Sequence, residues 1–336
     1  MSILTWEAVA EPTERFPSCH CSVLVETAEG ELLVGYYAGE GEAKPNAAWV
    51  LTRRGEAGFG SLEIVADTDG KPEGNGILLE TASGEIQLVY GTMHGKLDGE
   101  PGLGVRWVTC DLRRKRSSDG GQSWSSVEML DSEWGHVPRC KPVRLSNGDL
   151  LFGTEYNDGH SRIWRSQNDA STWEMIATVD GERNQHPTLL ERTDGSILAL
   201  LRPSGRQGCV LQSESVDGGE TWSEAVTTEL PSPFAALDAV RLADGRFLVV
   251  WNSNPRERNP LTIAMSEDEG RTWPIRKDLV RGEGRFHYPA VIQTSDGAVH
   301  VTFTNNRVTI DHVAMLVDWV SSEEESLQWD ESGRRL

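Results

Sequence analysis

Long apolar runs are missing from this chain of 336 residues. No stretch approaches the roughly 18 apolar residues of a membrane-spanning helix. The opening Met1-Ser2-Ile3-Leu4-Thr5-Trp6 has neither a basic segment nor an apolar one, so the sequence predicts a protein without a secretory leader. Cysteine is sparse and odd in number: Cys19, Cys21, Cys110, Cys140 and Cys209 do not make a disulfide framework. The Cys19-x-Cys21 pair has no second Cys/His cluster, which speaks against a zinc site. Free thiols lead to the expectation of a reducing, cytoplasmic compartment. Positive charge is also short, with 32 Lys and Arg against 52 Asp and Glu and a net charge of −20. That balance repels nucleic acid and anionic membrane surfaces. No Gly-rich phosphate loop, H-E-x-x-H or EF-hand pattern occurs, so neither a nucleotide nor a catalytic metal is expected, and no cofactor is assigned. No long helical periodicity is evident.

What the chain does have is repetition. A turn ending in Gly separates two apolar runs six times, at Gly30, Gly84, Gly148, Gly195, Gly245 and Gly297. These glycines are 54, 64, 47, 50 and 52 residues apart. A second pattern, S-x-D-x-G-x-[ST]-W, runs in phase as Ser117–Trp124, Ser215–Trp222 and Ser266–Trp273. A worn copy, Ser166–Trp173, carries Asn168 for Asp and Ala170 for Gly. The four tryptophans are 49, 49 and 51 residues apart. A period near 50 residues has room for four short strands, which is one propeller blade. The sequence therefore predicts an all-β, six-bladed β-propeller of four-stranded antiparallel blades, filling residues 1–336 as one domain.

Propeller topology sorts these motifs onto two faces. With strand A innermost and running down, the A–B hairpins and the C–D turns share the lower face. The octets follow C strands and are read as structural turns, with Asp accepting backbone N–H groups and Trp packing between blades. Chemistry then belongs on the upper face, at the starts of A and the ends of B. Counting nine residues back from the turn Gly places Cys21, Asn75, His186 and Tyr288 there. Assuming hairpins two residues shorter in blades three and five adds Lys141 and Asp238, with Pro142, Pro187 and Pro289 as the phase marker. The ends of B supply Tyr36, Tyr37, Tyr90, His94, Glu155, Tyr156, Arg202, Trp251, Asn252, Asn305 and Arg307. Arg256 and Arg258 sit in the following loop of blade five. Guanidinium groups bind carboxylate bidentately and keep their charge, so Arg202 and Arg258 point to an anionic ligand.

The octets and hairpins resemble the sialidase superfamily, whose turns are called Asp-boxes or BNR repeats. The resemblance covers all six blades and is closest from Asn184-Gln185-His186-Pro187 to Asp311-His312-Val313. It implies an arginine triad on a sugar carboxylate, a Tyr nucleophile activated by a Glu, and an Asp acid/base. Tyr288 matches the nucleophile, Arg202 the second arginine and Arg258 the third, with Arg256 as its rival. His20 stands where the first arginine belongs and His186 where the activating Glu belongs. The loop Gly41–Asn46 offers Glu42 or Asn46 instead of the acid/base Asp. His186, with an unperturbed pKa near neutrality, is the replacement base.

Three functions remain open at this stage. The first is a glycosidase acting on an acidic sugar or oligosaccharide, using Tyr288, His186, Asp238 and Lys141 for chemistry. Arg202, Arg258, Arg256, His20, Glu155, Asn252 and Tyr36 would bind the substrate. The second is a uronate-type lyase or isomerase in which His186 and Tyr288 exchange protons while Lys141 and Arg202 clamp the carboxylate. The third is a glycan-binding propeller whose Tyr36, Tyr37, Tyr90, Tyr156 and Trp251 stack on sugars without cleaving them.

Overall fold

The computed structural model describes residues 2–95, 107–205 and 207–330. They form six small sheets arranged as a six-bladed β-propeller. Blade one runs Ser18–Glu26, Leu32–Gly39, Ala48–Gly55 and Glu63–Ala66 from axis to rim. Blade two is Glu73–Glu80, Ile86–Met93, Cys110–Ser117 and Glu128–Asp131. In blade three the innermost strand is interrupted, as Val137–Pro138 and Val143–Arg144, and Leu150–Glu155, Ser161–Ser166 and Glu174–Val179 follow. Blade four is Asn184–Glu191, Ile197–Pro203, Cys209–Ser215 and Val226–Pro231. Blade five is Asp238–Arg241, Phe247–Asn252, Leu261–Ser266 and Ile275–Gly282.

Blade six closes the ring in a way the repeat pattern does not predict. Its three inner strands are Phe286–Gln293, Val299–Asn305 and Thr309–Met315, and its outer strand is the N-terminal Ile3–Ala10. Both ends of the propeller sequence thus share one sheet, which closes the ring. A strand near the other end, Leu327–Trp329, pairs in parallel with Ile275–Gly282. Its Trp329 packs edge-on to Trp6 at 4.5 Å and so joins blades five and six.

The octets behave as local turns. In each intact copy the Asp Oδ1 accepts the backbone N–H four residues on, at 2.9 Å for Asp119 and Asp217 and 2.8 Å for Asp268. Trp124 and Trp222 donate Nε1–H to the carbonyls of Gly121 and Gly219. The worn copy keeps the geometry, because Asn168 Oδ1 accepts from Thr172 N at 2.9 Å. Ala170 there takes φ +62°, the left-handed region its glycine counterparts adopt without a Cβ penalty. A–B hairpins touch neighbouring octets: Ala82 N donates to Asp169, and Thr193 N to Glu269. The two motif sets therefore share one face, as the topology requires.

Sheets pack on one another through large apolar side chains. Trp49 is fully buried between blades one and two and donates Nε1–H to Gly74 O at 3.0 Å. Gly35 makes room for its ring: a Cβ there would sit 2.1 Å from a ring carbon. In blade six the interior includes a carboxyl group, Asp311, beside Asn305 Nδ2 at 2.9 Å. Burial, reinforced by Glu11 and opposed by Asn305, pushes Asp311 up from 3.8 to about 7. The native state thus holds a proton that the unfolded chain releases. Stability from this group is complete below pH ~4 and is lost as pH rises through about 7. Asp311→Asn should flatten that dependence and raise stability at pH 8 by ~1–4 kcal/mol, read by denaturant melts at pH 5 and 8.

Candidate active site

Three innermost strands combine a register shift with a left-handed residue at the same place, and blade two has the shift alone, between Glu73 and Gly76. Register shifts fall between His20 and Val23, between Gln185 and Thr188, and between His287 and Ala290. Within them Cys21, His186 and Tyr288 have φ of +56°, +48° and +49°. Such conformations cost about 1 kcal/mol or more for a residue with a Cβ, and bulges re-aim side chains. Here they turn His186 and Tyr288 toward the axial mouth, where both line one pocket of about 310 Å³.

The pocket is polar and cationic. Arg202, Arg258 and Arg307 line it together with Glu42, Glu155, Asn75, Trp107 and Phe234. Arg202 Nη1 donates to Tyr288 Oη at 3.2 Å and lies 3.5 Å from His186 Nδ1. Its guanidinium stacks on Phe234, 3.8 Å from the ring centroid. Arg258 is aimed by His287 Nδ1 at 2.7 Å and by Phe234 O at 2.8 Å. Arg307 pairs with Glu42, which also accepts Trp107 Nε1–H at 2.8 Å. Guanidinium carbons of Arg139, Arg258 and Arg202 stand 5.5, 5.7 and 5.9 Å from the Tyr288 ring centroid.

His186 has an acidic partner. Its Nε2 lies 2.9 Å from Glu155 Oε2, which comes from the end of strand B in blade three. Burial pushes His186 below its ordinary range, and Glu155 opposes that shift. Burial works against the Glu155 charge too, but His186 and Arg202 hold its carboxyl below the usual range. A neutral imidazole beside an ionised carboxylate is a base with its orienting group.

The innermost ring differs from the sequence expectation in two blades. Hairpins of blades three and five are not shorter: Lys141 and Asp238 lie seven residues before Gly148 and Gly245, as Thr188 lies before Gly195. The matching pairs Thr188 with Leu200 and Asp238 with Val250 show the common register. The residues nine before those glycines are Arg139 and Ala236. Pro142 is out of phase with the other two prolines, since it stands six residues before its glycine while Pro187 and Pro289 stand eight before theirs. Lys141 and Asp238 accordingly sit deeper along the axis, paired with each other at 2.9 Å and outside the pocket. Arg139 takes the ring position instead, fully buried and donating to Pro289 O below Tyr288.

Other expected residues are placed as follows. His20 is buried under the pocket floor, edge-on to Tyr288 at 4.7 Å, with Nδ1 3.1 Å from Thr304 Oγ1. Asn252 donates to Pro260 O and Phe286 O and so pins a loop. Tyr36 bonds Thr52 at 3.1 Å inside blade one. Arg256 lies in a neighbouring cavity with Arg258. Asn46 accepts from Glu40 N, leaving Glu42 as the loop's carboxylate in the pocket. The aromatic rim is not one: Tyr36, Tyr37, Tyr90 and Trp251 are each at most 3% exposed. Arg139, Trp107, Phe234 and Gln185 are pocket or floor residues the sequence reading did not assign; uniform nine-residue counting would have found Arg139.

Away from the pocket, Asp131, Glu133 and His136 present donor atoms within 4.8 Å of one another. His136 Nδ1 faces Thr154 Oγ1 at 3.1 Å, and Tyr156 donates to Glu133. These are the side chains that could hold a cation among the described residues.

Asp-box blades around a central pocket of arginines and one tyrosine define a sialidase-like protein. Residues 30–301 match the BNR repeat-like domain model, and the chain belongs to that family of the sialidase superfamily. It is 24% identical over 330 residues to a sialidase of Micromonospora viridifaciens, covering 84% of this chain and 49% of that one. It is 23% identical over 230 residues to an anhydrosialidase of Macrobdella decora, covering 57% and 29%. The chain thus spans half or less of the length of these relatives. The intramolecular trans-sialidase from Ruminococcus gnavus, solved with oseltamivir carboxylate, superposes with a TM-score of 0.77 at 14% identity, over 95% of this chain and 98% of that one. That likeness concerns the fold.

Proposed function

We propose that this protein is a glycosidase acting on a sugar that bears a carboxylate. The observation that carries the reading is the convergence of Arg202, Arg258 and Arg307 on the pocket that holds Tyr288, His186 and Glu155. The arginines clamp the substrate carboxylate through charge-assisted hydrogen bonds. Tyr288 Oη attacks the anomeric carbon as the bond to the aglycone breaks. Its proton passes to His186, whose imidazolium is then stabilised by Glu155. The imidazolium then delivers that proton to the leaving oxygen, while Glu42 stays a carboxylate against Arg307. Water then bonds the anomeric carbon as the bond to Tyr288 Oη breaks, and its proton passes by way of His186 to the released phenolate. Negative charge forming on the phenol faces three guanidinium groups, an electrostatic setting that favours it.

Release of the chromophore from an aryl α-sialoside tests the reading; its absence with every acidic glycoside tried would overturn it. An ultraviolet-absorbing unsaturated sugar acid would instead assign elimination with His186 as base. The pH profile carries a further expectation. His186 must be neutral to accept a proton, and burial holds it below its ordinary 6.5. The acid limb of kcat/KM should therefore lie below pH 6.5. Glu155→Gln removes the anion that opposes this shift. That limb should then move to lower pH, and kcat should fall about 10²-fold with little change in KM.

A further inference from the structure

The cavity beside the pocket reverses the charge balance of the chain. It encloses about 580 Å³ and is lined by Arg256, Arg258, Arg285, Arg307, His287 and Glu257. Four guanidinium groups meet there in a chain with 20 more acidic than basic residues. Arg307 has Glu42 as its counter-ion. Among the described residues, Arg256, Arg258 and Arg285 have no carboxylate within ion-pair distance, whereas many other arginines of the propeller do, Arg54, Arg114, Arg165, Arg192 and Arg276 among them. Arg258 is held in place by neutral groups, His287 and the Phe234 carbonyl, rather than by an acid. Burial pushes its pKa below the ordinary arginine value, with Tyr288 and Glu42 opposing the shift and Arg202 and Arg307 adding to it.

Arg258 and Arg307 line both cavities, so the two spaces adjoin at these side chains. Arg256 and Arg285 line only the outer one, from the loop of blade five and the entry to blade six. We infer that the outer cavity is a second anion subsite, and that the substrate is an acidic glycan with another negatively charged group on the residue next to the sugar held over Tyr288. This rests on the glycosidase reading and narrows its substrate class. A carboxylate of a second acidic sugar and a sulfate ester present the same chemistry to the arginines.

The test is calorimetric titration of the whole protein with three probes: an α-sialyl-lactose, its disialyl counterpart, and the same sialyl-lactose sulfated on galactose. Wild type should bind at least one doubly charged probe about tenfold more tightly than the singly charged one, a gain of ~1.4 kcal/mol that shrinks with added salt. The stronger of the two identifies the anion. Arg256→Ala/Arg285→Ala should erase the gain and leave sialyl-lactose affinity within about twofold. Equal affinity for all three in wild type, or a preference that survives the double substitution, would overturn the subsite. If no glycan binds, the glycosidase reading fails on its own. Inorganic pyrophosphate then decides the subsite: a Tm rise lost in the double variant sustains it, and no rise overturns it.

Discussion

Tyr288→Phe should lower turnover of an acidic glycoside by about 10³-fold or more while leaving the melting temperature and substrate affinity near those of wild type. The ring stays, so its packing on His20 at 4.7 Å and opposite His186 at 6.0 Å is kept. What is lost is the oxygen that accepts from Arg202 at 3.2 Å. Both catalytic readings need that oxygen, the glycosidase as nucleophile and the lyase as proton donor. A binding propeller does not. Steady-state kinetics beside a titration of the same variant separates these cases, and undiminished turnover removes Tyr288 from the chemistry.

How much of this was legible beforehand depended on whether the signal was local. Turn glycines and octets are local, and they fixed the number of blades, the face of each turn and the strands that flank the mouth. Tyr288, His186 and Arg202 followed from nine-residue counting and from B-strand ends. Closure by Ile3–Ala10 was not legible, because its pairing with Thr309–Met315 joins distant segments and leaves no repeat signature. The Glu155–His186 pair was named residue by residue but not as a pair, since it forms across two blades and depends on a bulge that only the folded sheet reveals. Arg307 was seen at a strand end without a role; its φ of +61° after Val299–Asn305 accompanies its placement in the pocket. In blade three the proline phase and the glycine phase disagree by two residues. A proline marks φ, but the turn glycine sets the hairpin register.

Asp238 holds the innermost strands together outside the pocket of Tyr288 and His186. Its carboxylate accepts from Lys141 Nζ, Thr188 Oγ1 and Val291 N, each at 2.9 Å, and so links blades three, four and six to blade five. Lys141 also donates to Ala239 O at 2.7 Å. Asp238 is 1% exposed, so truncation strands a buried N–H and a mostly buried ammonium group. Asp238→Ala should cost ~3–5 kcal/mol, a fall in Tm of roughly 5–15 °C by calorimetry. Lys141→Met combined with Asp238→Leu should be far milder than the sum of the single changes, because the coupled charges leave together. Below its melting transition, Asp238→Ala should turn substrate over within a few-fold of wild type, since neither partner lines the pocket. A loss of 10² or more in kcat without a loss of stability would return Asp238 to the chemistry.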